Sequence, residues 1–333
     1  MPVPLSTLSP APAESTGQLW FVSELGGNMY HAPMMSKKLR LGVQPRARFR
    51  QFCELPESSQ PVKHKGETFS WSVHGKVETR GRRITELEDI PRTRAPLSLR
   101  SVTVTEWGNS IPTTRKLLEL AAEPVEEIVK KQLEEDCAMV LDGGAYEQYV
   151  ATPIKVGPAG GDSPDEITVA TNGTAPVINN SALTLNHALG IELDMREGDV
   201  PTYAHGDYYA IGRPTAFKGI RKQLDGINQY TESGISMIRS GEIGKYHGVR
   251  FVEQTAQARS EDFAGNNYLS DEVFFFGDDA TVEACVTPEE VQTAIPSGFG
   301  RNRAIAWFYM GEFALTYDQA AEARIWHWTS ATA

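Results

Sequence analysis

The chain has 333 residues, 40% hydrophobic and 23% charged, with 29 Gly and 20 Pro, a composition that can bury a sizeable core and is unlike that of a disordered protein. It holds no run of about 18 apolar residues, which excludes a membrane-spanning helix. The net charge of −11 is unevenly placed: residues 37 to 105 carry 15 Lys and Arg against 7 Asp and Glu, and residues 106 to 333 carry 17 against 34. A chance excess on solvated surfaces is the plain reading. The sharper one is that the basic part of one copy meets the acidic part of the next, a heterologous contact that repeats into rings or shells.

Residues 1 to 17 lack the basic start and apolar centre of a secretion signal and read as a flexible arm of a cytoplasmic product. Cys53, Cys137 and Cys285 are odd in number and far apart, and read as reduced thiols. Residues 18 to 62 alternate short apolar pieces with Gly, Pro and basic residues, as an extended arm would. Within it Arg46, Arg48 and Arg50 flank Phe49 and Phe52. Cations interleaved with aromatics suit phosphate contact and base stacking, but an arm pinned to a neighbouring surface by Phe49 and Phe52 is the preferred reading.

Thr68 to Thr79 alternates Phe69, Trp71 and Val73 with Ser70, Ser72 and His74, the period of a strand. Leu99 to Trp107 returns as a second strand. The long polar tip between them makes a projecting hairpin, and loops of that length are usually functional or disordered. From Thr113 to Leu141, Leu118, Ala121, Val125, Val129, Leu133, Cys137 and Leu141 recur at steps of three and four. That spacing predicts a long amphipathic helix, kinked or divided at Pro124 and ended by Asp142, Gly143 and Gly144.

Further on, Ser181 is a candidate cap for a helix over 182 to 193, and Pro214 to Leu224 reads as another helix. Strands are expected at Tyr208 to Ile211, Val249 to Val252, Val273 to Phe276, Ala304 to Tyr309, Phe313 to Tyr317 and Arg324 to Trp328. Helices and strands mix without regular alternation, so the fold class is α+β rather than a doubly wound sheet.

Motifs of catalysis are missing. No phosphate-cradling loop, dinucleotide turn, His-Glu-x-x-His helix, Cys-x-x-Cys pair or Gly-x-Ser-x-Gly elbow occurs. The seven histidines stand singly. Asp199, His205 and Asp207 could form a weak oxygen-rich metal site, which a polar loop explains equally well. Asp278 and Asp279 read as turn residues, and Glu289 and Glu290 as a helix start.

Several blocks carry a family resemblance. Arg46 to Phe52, Lys65 to Trp71, the return from Leu97 to Trp107, and the block Gly241-Glu242-Ile243-Gly244-Lys245-Tyr246-His247-Gly248-Val249-Arg250-Phe251-Val252-Glu253 resemble major capsid proteins of tailed bacteriophages, in the branch named after coliphage N-four. The resemblance implies the Hong Kong 97-like capsid fold. Its parts would be an N-terminal arm (1–65), an extended hairpin loop (66–107), a peripheral domain with the spine helix (108–177), an axial domain (178–300) and C-terminal strands returning to the peripheral domain (301–333).

It further implies a structural protein without catalytic activity or cofactor, building the icosahedral head of a virion from hexamers and pentamers in the host cytoplasm. Portal and scaffolding proteins, a decoration protein and non-specifically held double-stranded DNA are the implied partners, with no membrane. Arm and loop would place Arg48, Phe49, Arg50, Phe52, Trp71, Arg80, Arg82 and Arg83 against other copies. Gly241, Glu242, Gly244, Tyr246, Gly248 and Arg250 would carry the family motif. A long cleavable N-terminal extension is not expected, nor an isopeptide cross-link. The alternatives are an encapsulin-like nanocompartment shell and a metal- or ligand-binding enzyme using the Asp199 to Asp207 loop.

Overall fold

Alternation and helical period both appear in the computed structural model, which describes residues 48–54, 68–75, 77, 81–86, 89–121, 124–159, 165–176, 182–203, 206–228, 245–256, 259–260, 270–294, 298 and 301–331. Most of the expected arm lies outside these residues, as do Arg80, Ser181, His205, Gly241, Glu242 and Gly244.

In chain order, a 3-10 turn (Arg50–Phe52) precedes β1 (Thr68–His74), β2 (Leu97–Thr103) and β3 (Thr105–Thr114). Helices α1 (Arg115–Leu120) and α2 (Val125–Val150) follow, then β4 (Lys155–Pro158), β5 (Ile167–Ala170), α3 (Leu185–Glu197), β6 (Tyr208–Gly212) and α4 (Lys218–Asn228). The remaining strands are β7 (Lys245–Tyr246), β8 (Val249–Glu253), β9 (Arg259–Ser260), β10 (Ser270–Phe276), β11 (Thr281–Thr293), β12 (Asn302–Leu315) and β13 (Ile325–Ala331).

These strands make three sheets: the ribbon β1-β2, an eight-stranded sheet in the order β5-β4-β13-β10-β6-β8-β7 with β9 beside β10, and a three-stranded sheet β11-β12-β3. Helix α2 lies between the two larger sheets. Its stripe of Val125, Val129, Leu133, Cys137 and Leu141 is buried with Ile305, Trp307, Tyr309 and Phe313 of the small sheet and Ile211, Phe274, Phe276 and Ile325 of the large one. The opposite face of the large sheet packs Val273, Phe275, Trp326 and Trp328 against Ala188, Ile191 and Met195 of α3 and Ile220 of α4. Strand β10 is thus covered on both faces, which is why Val273 to Phe276 is a continuous apolar run.

Pro124 divides the expected helix rather than bending it. Thr114 caps α1 by accepting from the Leu117 N–H at 3.3 Å, and α2 restarts with the Glu127 and Ile128 N–H groups donating to the Pro124 carbonyl. At about 1.5 Å per residue, α2 is roughly 39 Å long. It does not stop at Gly143 and Gly144. A Cβ on Gly144 would stand 3.0 Å from Phe313 Cδ2 and 3.1 Å from Trp107 Cη2, so this glycine admits two rings against a continuing helix.

Other boundaries also move. Helix α3 is capped by Thr184, whose hydroxyl accepts from the His187 N–H at 3.4 Å while the ring takes the Thr184 N–H at 3.1 Å. The stretches 304–309 and 313–317 are one strand, β12. Glu289 and Glu290 stand on β11 and start no helix. Pro288 and the register shifts around Thr287 hid that strand from sequence, and both are tolerated because β11 is the edge of its sheet. Strand β11 lies with β12 and β3 in the three-stranded sheet, and β13 pairs with β10 and β4 of the large sheet.

Candidate functional site

Three constructions bear on the residues that the sequence singled out. The first holds the end of the arm. Phe49 is fully buried, with its ring 5.2 Å from Tyr149, 5.3 Å from Tyr146 and 5.6 Å from Phe274. Phe52 lies 4.9 Å from Tyr209 and 5.1 Å from Phe276. Both phenylalanines were expected to reach another copy; Phe49 lies in the core of its own chain and Phe52 packs half-buried against that core, where apolar rings are stable.

Arg50 completes this clasp. Its guanidinium is 2.7 Å from Glu283 and 2.7 Å from Glu289, and it sits 5.5 Å from the centre of the Tyr309 ring. Burial works against the charge, but hydrogen bonds and attraction from Glu289 and Glu283 more than offset it, so Arg50 holds its proton more firmly than a free arginine. The same hydrogen bond from Arg50 keeps the Glu289 carboxyl below its usual range.

On the helix side, Asp142 of α2 accepts the Arg50 N–H at 2.9 Å. Burial raises the Asp142 pKa, against backbone donors from Arg50, Arg48 and Phe49. Glu54 then makes an isolated parallel bridge to Val282 of β11, its N–H donating to the Thr281 carbonyl at 2.9 Å. Arg48 stays exposed.

The second construction is the β1-β2 ribbon. Thr68 pairs with Thr103 and His74 with Leu97 in one antiparallel register. Its inner face is Phe69, Trp71 and Val73, with Ser98, Arg100 and Val102. Trp71 donates to the Thr316 carbonyl at 3.5 Å and Arg100 pairs with Asp318, so Trp71 too is engaged within its own chain. The other face carries Leu97 at 64% and Leu99 at 73% exposure. Near the tip Arg82, Arg83, Arg92 and Arg94 are exposed, as is Ile90 at 73%.

The third is the family block. Tyr246-His247-Gly248-Val249 turns between β7 and β8, with φ of 44° at His247 and 77° at Gly248, a pair of left-handed positions that suits a tight hairpin and favours glycine. Lys245 and Arg250 are paired across that hairpin, and both hold Asp207, Arg250 at 2.6 Å. The Asp207 carboxyl, 1% exposed, is kept below its usual range first by Lys245 and then by Arg250, against burial. With one cation on each oxygen, Asp207 is a structural tie and not a metal ligand; among the described residues no group of three or more acidic, His or Cys side chains could hold a metal ion.

Glu283, Glu289, Asp142 and Asp207 were not singled out as partners. Their signal was faint: a carboxylate beside an apolar stripe and before two glycines for Asp142, and a single charge between Val282 and Ala284 for Glu283.

No family model matches the chain, and no curated protein matches it. Solved structures do. The capsid of Ralstonia phage GP4 is similar with a TM-score of 0.67 at 12% identity, over 91% of this chain and 96% of that one. The Cyanophage Pam1 capsid asymmetric unit gives 0.61 at 13% identity, over 91% and 96%. The capsid of Cyanophage P-SCSP1u gives 0.63 at 9% identity, over 91% and 94%. At such identities the shared property is the path of the backbone, and on that ground this chain has the Hong Kong 97-type fold of tailed-phage capsid proteins.

Proposed function

We propose that this chain is the major capsid protein of a tailed double-stranded DNA phage, a structural subunit that assembles with its own copies into the icosahedral head. The likeness to a phage capsid over 91% of this chain and 96% of that one carries the reading, because so wide a span is more than one shared element. In this reading the ribbon and the basic tip, Arg82 and Arg83 among them, reach the acidic body of a neighbouring copy. The expected domain division stands as part of the proposal, with β11 and β12 serving the spine. Hexamers and pentamers are the intermediates, portal and scaffolding proteins start the shell, and packaged DNA meets it without sequence preference. The virion is its location.

Electron microscopy of the purified protein, with size-exclusion chromatography and light scattering on the same sample, tests this. Closed shells, pentamers or hexamers are expected. A chain that stays monomeric at high concentration and with scaffold present overturns the reading.

A further inference from the structure

Four ionisable side chains from four elements meet where the C-terminal end of α2 lies on the large sheet. Lys155 of β4 places Nζ 2.8 Å from His327 Nδ1 on β13 and donates to the Val150 carbonyl of α2 at 2.5 Å. Glu272 of β10 has Oε1 3.5 Å from His327 Nε2, and its Oε2 accepts from the Tyr146 hydroxyl of α2 at 2.5 Å. The Phe274 ring stacks on the imidazole at 4.4 Å. Arg213, one residue beyond the Gly212–Val273 pair of β6 and β10, donates to the Thr255 carbonyl at 3.2 Å. Lys155, Glu272 and His327 are exposed by only 6%, 9% and 3%.

An ammonium has donors and no acceptor. With Lys155 charged, Nδ1 must be the accepting nitrogen, so the network assigns a neutral imidazole whose proton sits on Nε2, facing Glu272. A further proton has one place to go, Nδ1, where it meets Lys155 donor to donor and cation to cation in a site that excludes water. One proton can be held between Nζ and Nδ1; two cannot.

We propose that this cluster is a proton-sensitive joint between the spine helix and the large sheet: uptake of a proton by His327 opens the Lys155 contact and releases the Val150 end of α2 together with β4. Burial lowers the affinity of His327 for a proton and brings Lys155 down to about 8. Glu272 stays below its usual range although burial works to raise it, because His327, Tyr146 and Lys155 favour its anion. For His327 the sign is fixed: its folded value lies below 6.5, so its contribution is whole above 6.5 and is lost as pH falls through the lowered value. The joint belongs to a single chain and does not depend on the shell reading.

Hydrogen exchange of the full chain, followed by mass spectrometry from about pH 7.5 down to about pH 4 and corrected for intrinsic rates, tests it. Backbone protection over 150–158 should fall by about tenfold or more across that range while β12 holds its own. In His327→Asn, which keeps an acceptor near the Nδ1 position but cannot be protonated, the same segment should show no such fall. Wild-type protection that stays level, or an equal fall in His327→Asn, overturns the proposal. Should that variant fail to fold, Lys155→Met decides: the His327 imidazole resonance should titrate at higher pH than in wild type, and an unchanged midpoint overturns the proposal.

Discussion

The backbone N–H of Arg50 donates to the Asp142 carboxylate at 2.9 Å, joining residues 92 positions apart. One carboxylate in the spine helix thereby holds the first turn of the segment that enters from the arm. The Asp142-Gly143-Gly144 triplet is a seat in the middle of a helix: Asp142 takes the backbone of residues 48 to 50, and Gly144 takes Phe313 and Trp107.

Replacing Asp142 tests that seat. The folded Asp142 pKa is raised by burial, so the proton-linked part of its stability is complete below 3.8 and is lost as pH rises through the raised value, while the backbone donors it accepts still need a partner at neutral pH. A neutral acceptor should therefore serve nearly as well, and Asp142→Asn should stay within about 1 kcal/mol of wild type near pH 7. Asp142→Ala leaves buried donors unpaired and should lose about 2–4 kcal/mol. Urea denaturation gives both values. Tryptic cleavage after Arg48 and Arg50 should quicken in the alanine variant alone.

The two carboxylates on Arg50 should not be equal. The Glu283 side chain is 7% exposed and Glu289 is 45% exposed. Breaking a pair in the interior strands a buried charge, whereas a half-exposed partner is screened by water. A double-mutant cycle of Arg50→Met with Glu283→Gln should give a coupling of about 2–3 kcal/mol, and with Glu289→Gln less than about 1 kcal/mol. Equal couplings would show that Tyr309, which donates to Glu283 at 2.8 Å, keeps that carboxylate satisfied without the arginine.

What sequence could reveal follows from how far apart the partners lie. The apolar stripe of α2, the alternation of β1 and the run in β10 are local patterns: the first and last are buried, and the apolar face of β1 is half-buried with only Val73 fully covered. Phe49 and Phe52 were visible as anchors, but nothing in their own neighbourhood told an own-chain core from another copy's surface. That choice is made by Tyr146, Tyr149, Phe274 and Phe276, far along the chain from both. Gly143 and Gly144 misled for a related reason: glycine marks either a helix end or a close approach, and only the rings opposite Gly144 decide between them. Edge strand β11, with Pro288 and two register shifts, has no clean period to read.

The tie at Asp207 makes a pH prediction. Its folded pKa is lowered, first by Lys245 and then by Arg250, so its contribution is complete above 3.8 and is lost as pH falls through the lowered value. Lys245 and Arg250 are 50% and 44% exposed, which holds the contribution to about 1 kcal/mol after screening. Asp207→Asn should lower stability by about that much at pH 7 and by less at pH 3, with salt narrowing the difference. Thermal melts over pH and ionic strength check this. A loss that is as large at pH 3 as at pH 7 would mean that Asp207 acts through packing rather than charge.

Under the proposed shell function, the outer face of the ribbon is where folding and assembly would separate. Leu97 and Leu99 stand opposite His74 and Ser72, and they keep 64% and 73% exposure. A single exposed leucine is ordinary, but two on one face of a two-stranded ribbon, with Ile90 also exposed, form a surface that water solvates poorly. Substituting both by Ser removes little that the isolated chain buries, so its stability should change by less than about 1 kcal/mol. Assembly should weaken strongly, because association draws on the apolar area that those side chains would bury. Light scattering at matched concentrations measures the second effect and urea denaturation the first. Shells that form as readily with both serines would move the contact to the basic tip around Arg82 and Arg83, where added salt should then dissolve it.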